Sequence, residues 1–180
     1  MKLFIDTSNK KLILAIIDNE NNVIDFFLEE TNNDVVKNAL PYLEKLIKKN
    51  NFNISDFDDY MITIGPGSFT GVKVALNIVR TINLVNPIKK IYTIDTFKLI
   101  DDKKRYIAIP FGKNKFYLKD KKHFLSKVKI INNIDVVDKN KINFGYDNFD
   151  KNKLMEKINN KSFKLLDNLD KVKIKYITKF

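Results

Sequence analysis

The chain has 180 residues, 44% of them apolar and 12% aromatic, which supports a packed core and argues against global disorder. It contains no cysteine, so disulfides and thiolate metal sites are excluded. No run approaches the ~18 apolar residues of a membrane span and no basic leader precedes an apolar run, so a soluble, cytoplasmic protein is expected despite the net charge of +11.

Met1–Asp6 and Lys11–Ile17 read as strands, and the Asn19–Asn22 cluster as a turn, because Asn tolerates positive φ. Val23–Leu28 reads as a third strand. Joined by such short turns, the three form an antiparallel meander. A helix follows, with Thr31, Asn32 and Asn33 as candidate caps and Asp34 in its first turn. Its apolar residues from Val35 to Ile47 fall in an arc of about 160°. Pro41 lies inside it on the polar side, where a kink or break is expected. Tyr60–Ile64 is a fourth strand, Gly65–Gly71 a glycine-rich loop, Val72–Val85 a second helix, Lys90–Ile94 a fifth strand and Thr96–Ile100 a short helix.

The charge changes character at Asp101–Arg105. Residues before this point carry equal numbers of acidic and basic side chains, and the whole basic excess follows it. We therefore divide the chain into a first lobe, 1–103, and a shortened, Lys-rich second lobe, 104–180. In the second lobe Arg105–Pro110 and Lys115–Lys119 pair as strands, with further strands at Lys127–Ile131, Ile142–Phe144 and Val172–Ile177 and a helix at Lys151–Ile158. The basic excess has two readings. It either attracts a polyanion such as RNA, or it is a solvated Lys surface in which Arg, the better phosphate fork, is nearly absent.

The strongest local signal is Gly65-Pro66-Gly67-Ser68-Phe69-Thr70-Gly71-Val72-Lys73, between a strand and a helix. Gly67 and Gly71 permit backbone angles closed to other residues, and Ser68 and Thr70 can cap the helix. Free amides at a helix start make an anion site; a tight turn that binds nothing is the other reading. Spacing rules out a Walker loop, because Val72 separates Gly71 from Lys73, and a dinucleotide loop, because the third glycine comes one residue late. Asp6-Thr7-Ser8 ends the first strand, where a carboxylate could meet a phosphate or bond its own turn. The single histidine, His123, cannot make a two-His metal site and reads as a surface residue. On the second helix, apolar residues span about 200°, more than the ~100° a surface helix needs. The excess either meets a partner or is buried by the first helix or the second lobe.

Asp6-Thr7-Ser8, then Ala39-Leu40-Pro41, then the nine-residue glycine segment resemble the TsaB (YeaZ) family, and Ile94-Asp95-Thr96-Phe97 fits its strand-to-helix step. The likeness is close over residues 1–100 and thin after 105. There, Phe111–Tyr117 replaces the family's Asp-Ala-Arg-Arg-x-Glu-Val-Tyr-like stretch and keeps only Lys113 and Tyr117. The resemblance implies an α/β, actin/Hsp70-like (ribonuclease H-like) two-lobed fold. It implies a non-catalytic subunit that pairs with a TsaD-like catalytic subunit and works with a TsaE-like ATPase. The complex makes N6-threonylcarbamoyladenosine in tRNA; alone, the chain could be a homodimer. Pairing through the first-lobe helices would use Val36, Leu40, Val74, Ile78, Thr81 and Val85. The loop and anion-binding candidates are Asp6, Thr7, Gly65, Gly67, Ser68, Phe69, Thr70, Gly71 and Lys73. The second-lobe turn Pro110–Lys115 offers no carboxylate, so no catalytic residue, metal or cofactor is expected. The alternatives are a small actin-like ATP-binding kinase or hydrolase using Asp6 and the loop, and a basic RNA-binding module.

Overall fold

Every second residue of the first two strands enters a different core. In the computed structural model, Leu3, Ile5, Leu12, Leu14 and Ile16 face one cluster, while Phe4, Ile13, Ala15 and Ile17 face another. Both faces are covered, so the strands read as continuous apolar runs rather than alternating ones. The structure describes residues 1–31, 34–112, 114–122, 128–132 and 134–177.

The elements of the first part are β1 (Lys2–Asp6), β2 (Lys11–Ile17), β3 (Val23–Glu30), α1 (Val35–Lys49), β4 (Asp59–Thr63), α2 (Phe69–Val85), β5 (Lys90–Ile94) and α3 (Thr96–Leu99). They continue with β6 (Tyr106–Gly112), β7 (Lys115–Asp120), β8 (Lys129–Ile131), β9 (Ile142–Phe144), α4 (Lys151–Asn159) and β10 (Lys164–Leu166). One sheet has the order β10-β5-β4-β1-β2-β3 and the other β8-β7-β6-β9. The run β3-β2-β1-β4 and the run β8-β7-β6-β9 share the same order. Each is an antiparallel meander whose first strand pairs in parallel with the fourth. The second lobe therefore repeats the first in reduced form, an α/β actin-like architecture.

Helices α1 and α2 pack on one face of the first sheet through Val35, Ala39, Leu43, Leu46, Ala75, Leu76 and Val79. The opposite face is buried against α3, α4 and the second sheet, through Phe97, Leu99, Ile107, Ile109, Phe149 and Leu154.

Four local expectations change. Asp34 is the N-cap of α1, its carboxylate accepting from Lys37 N at 3.2 Å. Thr31 instead ties back to Lys10, and Asn32 and Asn33 lie outside the described residues. Helix α1 runs through Pro41, which lies on the exposed side. Helix α2 begins at Phe69, not Val72, because Ser68 caps it. Finally, Val172–Ile177 is not a strand. The outer edge of β5 is taken instead by β10, pairing Lys164 with Thr93 and Leu166 with Ile91. Strand β10, in the stretch expected to belong to the second lobe, thus completes the first sheet.

Candidate functional site

Strand β1 ends where its chain turns beneath the glycine loop, and the two segments touch through their backbones. Ser68 N–H donates to Ser8 O at 2.8 Å, and the Thr7 hydroxyl donates to Gly71 O at 2.6 Å. The same hydroxyl accepts from Ala75 N–H at 3.1 Å. A Cβ on Gly67 would stand 2.2 Å from Ser8 O, and one on Gly71 would stand 2.1 Å from Thr7 O. Both distances are impossible for a carbon, so these glycines are dictated by proximity rather than by backbone angle, contrary to the expectation from sequence. Gly65 does adopt positive φ, +86°.

Three amides of this segment are engaged within the chain. Ser68 N–H meets the Ser8 carbonyl, Gly71 N–H meets Ser68 Oγ at 3.2 Å, and Val72 N–H enters the helix at Ser68 O. The Ser68 and Gly71 amides are thus engaged within the chain and are not free to donate to an anion. Lys73 turns to an aromatic ring of the same segment. Its Nζ lies 3.9 Å from the centre of the Phe69 ring, an exposed cation–π contact on the helix surface, and Thr70 is exposed beside it.

Asp6 is fully buried. Its carboxylate accepts from Ser8 N–H at 2.8 Å and from the hydroxyls of Thr63 and Tyr146. Burial holds the Asp6 carboxyl above its ordinary value, and these three donors only partly oppose it. Burial, with Asp6 alongside, pushes the Tyr146 phenol well above its ordinary value and keeps it a donor. Ser8 Oγ lies 3.2 Å from Tyr146 Oη. Tyr146 follows β9, so the bond joins the two lobes. Sequence reasoning missed Tyr146 and Thr63. One signal was present: Gly145 follows β9 as Gly65 follows β4, and both take positive φ.

Beside this cluster a cleft of about 360 Å³ lies between the β1–β2 hairpin and the second sheet, lined in part by Asn9, Lys11, Phe116, Phe144 and Tyr146. Lys11 Nζ and Asp147 Oδ1 pair across it at 3.3 Å. Among the described residues, no group of three or more His, Asp or Glu stands close enough to hold a metal ion. His123 lies outside them, as does Lys113.

The helix residues divide sharply. Ile78 is only 8% exposed and sits in the chain's own core, which corrects its assignment to a partner surface. Val74 is half-buried against the same core. Val36, Leu40, Thr81 and Val85 are exposed, Leu40 at 58% and Val85 at 82%. Next to them Leu40, Leu43, Ile47, Phe52, Ile54 and Ile82 line an apolar groove of about 370 Å³. No helix among the described residues is long and apolar enough to cross a membrane.

The chain is 30% identical to protein MG208 of Mycoplasma genitalium over 174 residues, 94% of this chain and 86% of that protein. The chain belongs to the MG208 family. It is also 32% identical to the MG208 homologue of Mycoplasma pneumoniae over 112 residues, 62% of this chain. That match spans 53%, about half, of the M. pneumoniae protein's length. A family model described as TsaD, tRNA N6-adenosine threonylcarbamoyltransferase, matches residues 29–99, from the end of β3 to α3. Among solved structures, YeaZ from Pseudomonas aeruginosa superposes with a TM-score of 0.54 at 16% identity, covering 71% of this chain and 63% of that one. A chain described as similar to peptidase YeaZ from the same organism gives 0.56 at 16% identity, covering 72% and 65%. This member of the MG208 family is thus TsaB/YeaZ-like in fold.

Proposed function

We propose that this chain is a non-catalytic scaffold subunit of the tRNA N6-threonylcarbamoyladenosine synthesis complex. It pairs with a TsaD-like catalytic subunit and works with a TsaE-like ATPase in the cytoplasm, with tRNA as substrate of the complex. The observation that carries this reading is the inward use of the Asp6–Gly71 region. Ser8 O takes the Ser68 amide, and the Asp6 carboxylate is enclosed by Ser8, Thr63 and Tyr146. Groups that would grip phosphate in an ATP-binding kinase or hydrolase serve here as packing. The exposed Val36, Leu40, Leu84 and Val85 on α1 and α2 supply an apolar surface suited to a polypeptide.

The test is reconstitution. The chain is mixed with a TsaD-like protein, a TsaE-like protein, threonylcarbamoyl-adenylate, ATP and tRNA. Modification is expected only when this chain is present, and equal activity without it refutes the proposal. Calorimetry with ATP and magnesium addresses the kinase or hydrolase alternative, which requires tight binding by the isolated chain. The net charge of +11 keeps a basic RNA-binding module as a second alternative. That reading requires tRNA binding without a partner and a steep loss of affinity with salt.

A further inference from the structure

The parallel strands β1, β4 and β5 end on one side of the first sheet, beside the Gly65–Ser68 loop and the start of α2. Crevices at such carboxyl ends are where open α/β sheets present surface to other molecules. Here the chain's own residues 172–177 lie over part of that edge. Lys175 N–H donates to Ile64 O at 2.7 Å, and Lys175 Nζ bonds Asp95 Oδ2 at 2.8 Å. The Lys175 carbonyl lies close over Gly65, 2.8 Å from where a Cβ would stand. The Tyr176 ring sits 5.0 Å from that of Phe69 at the first residue of α2. Val172 and Ile174 pack on the helical side of the sheet, and Ile177 joins the opposite core.

Val172 is buried at the start of the segment, and the ties of the residues after it are weaker than those of the sheet. The segment joins no ladder; among the described residues its backbone tie to the sheet is the Lys175–Ile64 bond. The Lys175–Asp95 pair leaves the lysine half in solvent, where such pairs contribute little. Phe69 and Tyr176 both remain substantially exposed. Strands β1 and β2 of the same sheet are almost wholly buried. Local opening free energies follow such differences in burial and hydrogen bonding.

We propose that residues 172–177 form a releasable strap, an internal occupant of the surface at the carboxyl ends of β4 and β5. Seated, it covers Ile64, Gly65 and part of Phe69. Released, it uncovers these three as one surface continuous with the exposed face of α2. The inference stands on the contacts of the strap and does not rest on the scaffold reading.

Hydrogen exchange by mass spectrometry on the full chain tests it. In the wild type, amides of 172–177 exchange well before those of β2. The double variant Lys175→Met, Tyr176→Ala speeds exchange in peptides covering 64–70 roughly fivefold, while peptides from β2 and β3 keep wild-type rates. Three results overturn the proposal: wild-type protection of 172–177 equal to that of β2, unchanged exchange at 64–70 in the variant, or an equal rise throughout the chain. A chain ending at Lys171 provides the second variant. If it folds, its 64–70 region exchanges at least as fast as in the double variant; if it fails to fold, residues 172–177 are a fixed part of the core and the strap is refuted.

Discussion

Replacing Tyr146 by Phe removes one hydroxyl and leaves the ring that packs against Phe149 in place. The loss falls on Ser8 Oγ and on Asp6, whose buried carboxylate keeps Ser8 N–H and Thr63 as donors but loses its link to the second lobe. A hydrogen bond to a charged group contributes about 1.5–3 kcal/mol, and one to a neutral group about 1 kcal/mol. Because two donors remain, the carboxylate is not orphaned, and a loss of about 2 kcal/mol is expected at neutral pH. For a chain of this size that corresponds to a fall in Tm of roughly 4–8 °C. Urea unfolding followed by circular dichroism measures the loss, with the slope compared so that two-state behaviour is verified. A Tyr146→Phe chain within about 0.5 kcal/mol of wild type, the range of ordinary surface changes, refutes the role assigned to the bond.

The pH dependence of the same cluster carries a definite sign. The folded-state Asp6 carboxyl binds its proton more tightly than the unfolded one, so its stabilising contribution is complete below the ordinary value of 3.8 and is lost as pH rises through the raised folded value. Asp6→Asn removes that dependence, and wild-type stability measured relative to this variant should fall from acid toward neutral pH; a flat or rising difference contradicts the burial argument. Gly71→Ala places a carbon 2.1 Å from a backbone oxygen and should cost about 3 kcal/mol or more, as should Gly67→Ala, so near-native melting of either rejects the close approach. Ile78→Asp buries an unpaired charge and should unfold the chain, as seen by circular dichroism. Leu40→Asp and Val85→Asp lie in solvent and should keep the fold while abolishing co-elution with a TsaD-like partner in gel filtration. Retained co-elution would remove these residues from the partner surface.

Much of the architecture was legible along the chain. The runs Leu3–Ile5 and Leu12–Ile17 announce strands covered on both faces, and the glycine segment marks a strand-to-helix step. The site was legible only in part. Asp6, Thr7, Gly67, Ser68 and Gly71 do converge, yet their spacing could not say whether the loop amides face a ligand or the Ser8 carbonyl. The 200° apolar arc of α2 likewise could not separate Ile78, sealed under the chain itself, from Val85, left in water. Periodicity records that a side chain is apolar and on which side of a helix it lies. It does not record what covers that side.

The sequence by itself determined most local periods: which of the longer stretches are strands or helices, and where the basic excess begins, though it set the start of α2 three residues late and read 172–177 as a strand. These depend on neighbours a few residues apart. Tertiary structure alone decided that Tyr146 meets Asp6 across 140 positions, that β10 takes the edge of β5, and that Lys175 lies over Gly65. Each outcome is a competition for one site: β10 holds the outer edge of β5, and Ser8 O holds the Ser68 amide. Such competitions are settled by long-range packing, which no local pattern encodes.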